Sequence, residues 1–190
     1  MCSENRNPPA LKIVIRLYLI IYLLLITSCS SYSQKNDMNE IKTGKRIPSF
    51  SLLDQNGDVF DIDSFIGKKN LVIYFYPKDD SPGCTAQACS FRDQLEVFNE
   101  ADAMIIGISG QSVKSHKNFA EEHRLPFTLL SDDGNKIRRQ FGVPTNLLGL
   151  LPGRVTYIAD RTGKVIYIFK SQLNFTEHVD EALKTLKELK

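Results

Sequence analysis

From residue 47 onward the chain alternates short unbroken apolar runs with segments whose apolar residues recur every three or four positions. Residues 71–76, LVIYFY, lie between Asn70 and Pro77 without a polar interruption, the pattern of a strand buried on both faces. AMIIGIS at 103–109 repeats it, as does FTLLS at 127–131, opened by Pro126. Between the first two runs, Ala88, Phe91, Leu95 and Phe98 fall at helical spacing and predict a helix from about Cys84 to Asn99. SVKSHKNFAEEHR predicts a second helix, and GNKIRRQFG a short third one closed by Gly142.

Two hairpins frame this alternation. FSLLD and VFDI flank Gln55-Asn56-Gly57, and Asn-Gly between apolar runs is a strong hairpin signal. RVTYIAD, the turn RTG and KVIYIF form the second. The last segment, TEHVDEALKTLKELK, places Val179, Leu183, Leu186 and Leu189 on one helical face, with Thr176 as N-cap. The expected architecture is α/β: a central mixed β-sheet flanked by helices, with an N-terminal β-hairpin.

With 190 residues, 42% hydrophobic and 24% charged, the chain is long enough for one domain with a substantial core plus extra length. That extra length is at the front. Residues 17–26, LYLIIYLLLI, follow a segment holding Arg6, Lys12 and Arg16 against Glu4 and precede Thr27 and Ser28, the layout of a secretory signal. ITSC at 26–29 resembles the lipobox of bacterial lipoproteins, which implies a lipid on Cys29 and attachment to the cell envelope. An uncleaved anchor over 10–26 is the alternative, but a spanning helix needs about 20 apolar residues, and this stretch contains Lys12 and Arg16. A misassigned start ahead of a cytoplasmic protein is the other. The basic residues flanking the apolar run are too evenly balanced to orient it. The expected division is a signal at 1–28, a polar flexible tether at 29–46 and a folded domain at 47–190.

Charge and cysteine usage change once the signal is set aside. Of 24 basic and 22 acidic residues, three basic and one acidic lie in 1–28, leaving 21 of each. A neutral domain gives no support for nucleic-acid binding. With Cys2 in the signal and Cys29 lipidated, Cys84 and Cys89 are left for chemistry.

Both cysteines fall in YPKDDSPGCTAQACS, residues 76–90, just after the central strand. A cysteine in the first turn of a helix meets unpaired N–H groups and the positive end of the helix dipole, which favour a thiolate. Pro77, Pro82 and Gly83 restrict the loop, and Ser81 and Thr85 place hydroxyls on either side of Cys84. Five residues along a helix is about 7.5 Å of rise, so the pair exceeds the roughly 7 Å Cα limit for a disulfide. Bonding them requires the helix start to unwind.

FYPKDDSPGCTAQACSFRD at 75–93 resembles the active-site segment of the peroxiredoxins, and Cys-x4-Cys with FRD resembles their peroxiredoxin Q or bacterioferritin comigratory protein branch. IPSFSLLDQNGDVFDI, FTLLSDDGNKIRRQFGV, LPGRVTYIADRTGKVIYIF and SQLNFTEHVDEALKTLKEL are similar to that branch in order and spacing. The resemblance implies a thioredoxin-like fold and a thiol-dependent peroxidase acting on hydrogen peroxide and alkyl hydroperoxides. It implies no cofactor or metal, and a monomer recycled by thioredoxin or a similar dithiol donor. Carried over by position, Cys84 is peroxidatic, Cys89 resolving, Pro77 a shield for the thiolate and Arg154 its activating cation. Ser81 stands where the family usually has Thr, keeping the hydroxyl and losing the methyl.

Arg92 is read equally as a helix-surface ion pair or a site residue. His116, His123 and His178 are expected on solvated helix faces. The apolar loop 143–153 is expected to pack on its own domain, with a peroxide pocket or a reductant dock as alternatives. A tethered thioredoxin-like copper-handling protein would need three residues between its cysteines and a histidine ligand. A disulfide reductase would need Cys-x-x-Cys. An exported domain requires an electron donor outside the cytosol.

Overall fold

The run 71–76 forms the middle of the sheet, and its alternation of side chains divides the core in two. The structure, a computed structural model, describes residues 40–146 and 151–189. The signal at 1–28, Cys29, most of the tether and the middle of the loop 143–153 lie outside the described residues. Among those described, no helix is long and apolar enough to cross a membrane.

Strands β1 (Ser51–Asp54) and β2 (Val59–Asp61) form the first hairpin, followed by β3 (Asn70–Phe75), helices α1 (Pro82–Asp93) and α2 (Leu95–Glu100), and β4 (Ala103–Ser109). Helix α3 (Val113–Glu122), β5 (Thr128–Ser131) and α4 (Lys136–Gln140) come next. A two-stranded ribbon, β6 (Thr145–Asn146) with β7 (Leu151–Pro152), precedes the hairpin β8 (Val155–Ala159) and β9 (Val165–Lys170), and α5 (Glu177–Lys187) closes the fold. The seven-stranded sheet runs β2-β1-β5-β4-β3-β8-β9. β3 pairs in parallel with β4 and antiparallel with β8, so the sheet is mixed, as expected.

Successive β3 residues point to opposite faces. Val72 and Tyr74 join Phe91, Phe98, Phe119, Val179 and Leu186 under α1, α2, α3 and α5. Leu71, Ile73 and Phe75 join Ile137, Phe141 and Tyr157 under α4. All six residues of 71–76 are essentially buried, which is why the run carries no polar position.

Two expectations change. The helix predicted over 84–99 is two helices, broken at Gln94, where φ −106° and ψ 9° leave the helical region. Across the break Phe98 packs on Phe91, ring centroids 5.6 Å apart. The tether expected to run through Arg46 is docked from residue 40 onward. Ile41 N–H donates to Phe141 O, Gly44 N–H to Val165 O, and the Arg46 guanidinium to Thr162 O. These backbone and side-chain bonds give residues 40–46 an ordered place that their polarity conceals.

Candidate active site

Parallel pairing of β3 with β4 sends the chain out of the sheet at Tyr76, and α1 begins six residues later. Pro82 occupies the first turn, where its missing N–H costs nothing. Cys84 N–H and Thr85 N–H both donate to Ser81 O at 2.9 Å. The first turn is thus closed around Ser81, and it carries Cys84, a residue only 1% exposed.

Antiparallel register aligns Phe75 with Val155. The residue before β8, Arg154, therefore faces the loop that follows β3. Its Nη2 donates to Cys84 Sγ at 3.2 Å and its Nη1 to Gln87 Oε1. A planar guanidinium satisfies both with one rigid group. Arg154 is 4% exposed, so its charge acts on the sulfur with little screening by water. Just before Arg154, Gly153 N–H donates to Pro144 O at 2.8 Å, a close approach that needs glycine, because a Cβ there would stand 2.3 Å from that oxygen. Tyr74 Oη, Gln87 Nε2 and Arg154 Nε are buried and without a hydrogen-bond partner among the described residues, which leaves uncommitted donors in this part of the core.

The remaining expected site residues are placed as follows. Pro77 is half-buried in the loop. Ser81 caps α1 through its backbone carbonyl, while its hydroxyl donates to Lys78 O at 2.9 Å, so that proton is already committed. Cys89 is half-buried on the same helix as Cys84, and both thiols are free. Arg92 pairs with Asp93 at 2.8 Å and donates to His123 O at 2.7 Å, tying α1 to the end of α3; its guanidinium also interacts with the Cys89 thiol one turn back, so it combines a helix-surface ion pair with a contact to the second cysteine.

The histidines require correction. His116 and His178 are fully buried rather than solvated. His116 Nδ1 lies 2.9 Å from Asp79 Oδ2 and its Nε2 3.1 Å from Leu130 O. Asp79 also accepts from Tyr76 Oη at 2.7 Å and Ser115 Oγ at 2.6 Å. Burial alone would raise the Asp79 carboxyl, but the hydrogen bonds and charge from His116, with those from Ser115 and Tyr76, outweigh it and hold it below the usual range. His178 donates from Nε2 to Ser171 O at 2.9 Å and accepts at Nδ1 from the Thr156 hydroxyl at 2.8 Å. That pairing suits a neutral ring, and burial pushes its pKa down to about 4. Helical periodicity misplaced these residues because a hydrogen-bonded histidine occupies an apolar position as readily as a phenylalanine.

Two supports were absent from the sequence reading. Gln87 stands three residues after Cys84, the spacing that shares a helix face, and that spacing was the available signal. Arg138 donates to Tyr76 O and Gly153 O, both at 2.7 Å, and so brackets the two segments that carry Cys84 and Arg154. Burial lowers its pKa to about 10. Nothing in GNKIRRQFG distinguishes it from Arg139, which is exposed. Among the described residues, Asp80, Glu122 and His123 bring their ligand atoms within 4.8 Å of one another. This surface group contains neither cysteine.

A profile of the AhpC/TSA family matches residues 43–168. The chain belongs to that family. It is 51% identical over 161 residues to the chloroplastic peroxiredoxin Q of Populus jackii, covering 84% of this chain and 75% of that protein. It is 50% identical over 151 residues to that of Sedum lineare, covering 80% and 81%. Among solved structures it is similar to peroxidoxin BcpB of Mycobacterium tuberculosis, with 37% identity, a TM-score of 0.74 and coverage of 80% of this chain and 99% of that one. The bacterioferritin comigratory protein of Xanthomonas campestris, a structure described for its alkyl peroxide reduction activity, matches with 33% identity, a TM-score of 0.67 and coverage of 74% and 91%. This peroxiredoxin has the thioredoxin-like fold and is a thiol-dependent peroxidase. The copper-handling alternative is not favoured: Cys84 faces a guanidinium, which repels a metal cation.

Proposed function

We propose that Cys84 is the peroxidatic cysteine, and the observation that carries the assignment is Arg154 Nη2 at 3.2 Å from its Sγ. The Cys84 thiolate attacks one peroxide oxygen and the O–O bond breaks. The leaving oxygen takes a proton and departs as water or alcohol, and Cys84 becomes a sulfenic acid. Arg154 stabilises the thiolate and the negative charge that develops on the leaving oxygen. Pro77 restricts water near the sulfur, and Ser81 holds the helix start that presents it.

Cys89 is the resolving cysteine in this reading. Its sulfur displaces the sulfenic oxygen as water and forms the Cys84–Cys89 disulfide, which a dithiol donor such as thioredoxin then reduces with two electrons. Both cysteines lie in α1, where a five-residue separation is about 7.5 Å of rise, too far for a disulfide. The first turn of α1 therefore unwinds in each cycle. The protein works as a monomer, since one helix supplies both sulfurs. Cys29 carries a lipid that holds the domain at the cell envelope, a reading supported by ITSC directly after the apolar run.

The test is peroxide consumption by the full chain with thioredoxin, comparing wild type, Cys84→Ser and Cys89→Ser. Cys84→Ser should be inactive, and residual turnover would refute its role. Cys89→Ser should give one equivalent of sulfenic acid and then stop. For the anchor, labelled palmitate should enter the wild type and be absent from Cys29→Ala.

A further inference from the structure

Phe175 lies in the turn between β9 and α5, and two separate contacts set its ring against the segment that carries Cys84. A Cβ on Gly83 would meet Phe175 Cε1 at 2.4 Å and Cζ at 2.5 Å, so the ring rests directly on the backbone of the first turn of α1. The Arg154 guanidinium carbon stands 5.0 Å from the centroid of the same ring, a cation–π distance. The turn is itself tied to β8. Gln172 Oε1 accepts from Arg154 N–H at 3.1 Å, and His178 joins Ser171 O to the Thr156 hydroxyl. Phe175 thus touches both parts that the reaction uses: the cation that activates the sulfur and the helical turn that must open for resolution.

We propose that Phe175 is a positioning residue that latches the first turn of α1 and sets how long the Cys84 sulfenic acid persists before Cys89 reaches it. The proposal rests on the roles assigned to Cys84 and Cys89. Two fates compete for the sulfenic acid. Condensation with the Cys89 thiol releases water and forms the disulfide. A second peroxide instead transfers an oxygen to give sulfinic acid, its other oxygen leaving as water or alcohol. Unwinding strips Gly83 from the Phe175 ring, so the ring slows the first route and leaves more time for the second. Its face over Arg154 also holds the guanidinium on the sulfur and quickens the initial oxidation.

The experiment treats full-length protein with one equivalent and with excess hydrogen peroxide, quenches with an alkylating agent, and resolves thiol, sulfenic, sulfinic and disulfide forms by intact mass. Phe175→Ala should form the disulfide from the sulfenic acid about 5- to 10-fold faster, yield correspondingly less sulfinic acid, and oxidise at Cys84 about 3-fold more slowly, from the worth of one apolar and one cation–π contact. Phe175→Tyr keeps the ring face and should behave as wild type. A purely structural role would lower the melting temperature without moving the partition between disulfide and sulfinic acid. An unchanged partition in folded Phe175→Ala overturns the latch. If that variant does not fold, Phe175→Leu decides: it keeps the apolar contact with Gly83 and loses the aromatic face, so its first oxidation should be slower while its partition stays near wild type, and an unchanged oxidation rate overturns the proposal. A wild-type Cys84 that never leaves the thiol state overturns the cysteine assignment, and the latch with it.

Discussion

Acidification from pH 7 to pH 4 should destabilise this peroxiredoxin through His178, by an amount that the structure sets. The ring is buried and neutral, donating to Ser171 O and accepting from Thr156. Its pKa is lowered from 6.5 to about 4 by burial, with the Arg154 charge contributing in the same direction. Between those values the unfolded chain binds a proton that the folded chain refuses, so stability rises with pH across the window and is lost as pH falls through it. Each pH unit is worth about 1.4 kcal/mol, which makes the loss at pH 4 about 3 kcal/mol. The assay is urea unfolding of the reduced protein followed by far-ultraviolet circular dichroism, since the chain contains no tryptophan. Wild type is compared with His178→Gln, which has no proton to gain. At pH 7 the variant should be less stable by about 1 kcal/mol for the lost Thr156 bond. By pH 4 the order should reverse, because wild type alone suffers the histidine penalty. Carboxyl groups that begin to titrate toward pH 4 are common to both proteins and cancel. A stability gap independent of pH would refute the reasoning.

Other consequences are as direct. Arg154→Lys keeps the charge but cannot donate to both Cys84 and Gln87 from one planar group, so the rate of Cys84 oxidation by peroxide should fall about 10²- to 10³-fold; a change below threefold would contradict the assigned geometry. Asp79→Asn weakens the buried hydrogen bonds that the carboxylate makes with Tyr76, Ser115 and His116 and should cost about 1.5–3 kcal/mol in thermal or urea unfolding, against which a loss under about 0.5 kcal/mol would count. Gly83→Ala drives a methyl into the Phe175 ring and should cost about 1–3 kcal/mol. In a Phe175→Ala background that cost should vanish, and a double-mutant cycle without coupling would remove the contact from the account.

What the chain by itself determined is the part of the structure that is periodic or local. An unbroken run such as 71–76 has no polar position to expose, so it belongs in the middle of a sheet, and Asn56-Gly57 supplies a turn residue, Gly57, that adopts φ +88° without penalty. The helix start that carries Cys84 was legible for the same reason: Ser81, Pro82 and Gly83 specify it locally, wherever the rest of the domain lies. Tertiary structure alone decided what meets that helix start. Arg154 reaches Cys84 from seventy residues away because Phe75 registers with Val155, and strand register depends on how whole faces pack. The burial of His116 and His178, the bracket formed by Arg138 and the ring of Phe175 on Gly83 have the same origin. A polar or aromatic residue shows its type in the sequence, but its partner is chosen by the fold, because a buried hydrogen bond is made with whichever group the packing brings within reach.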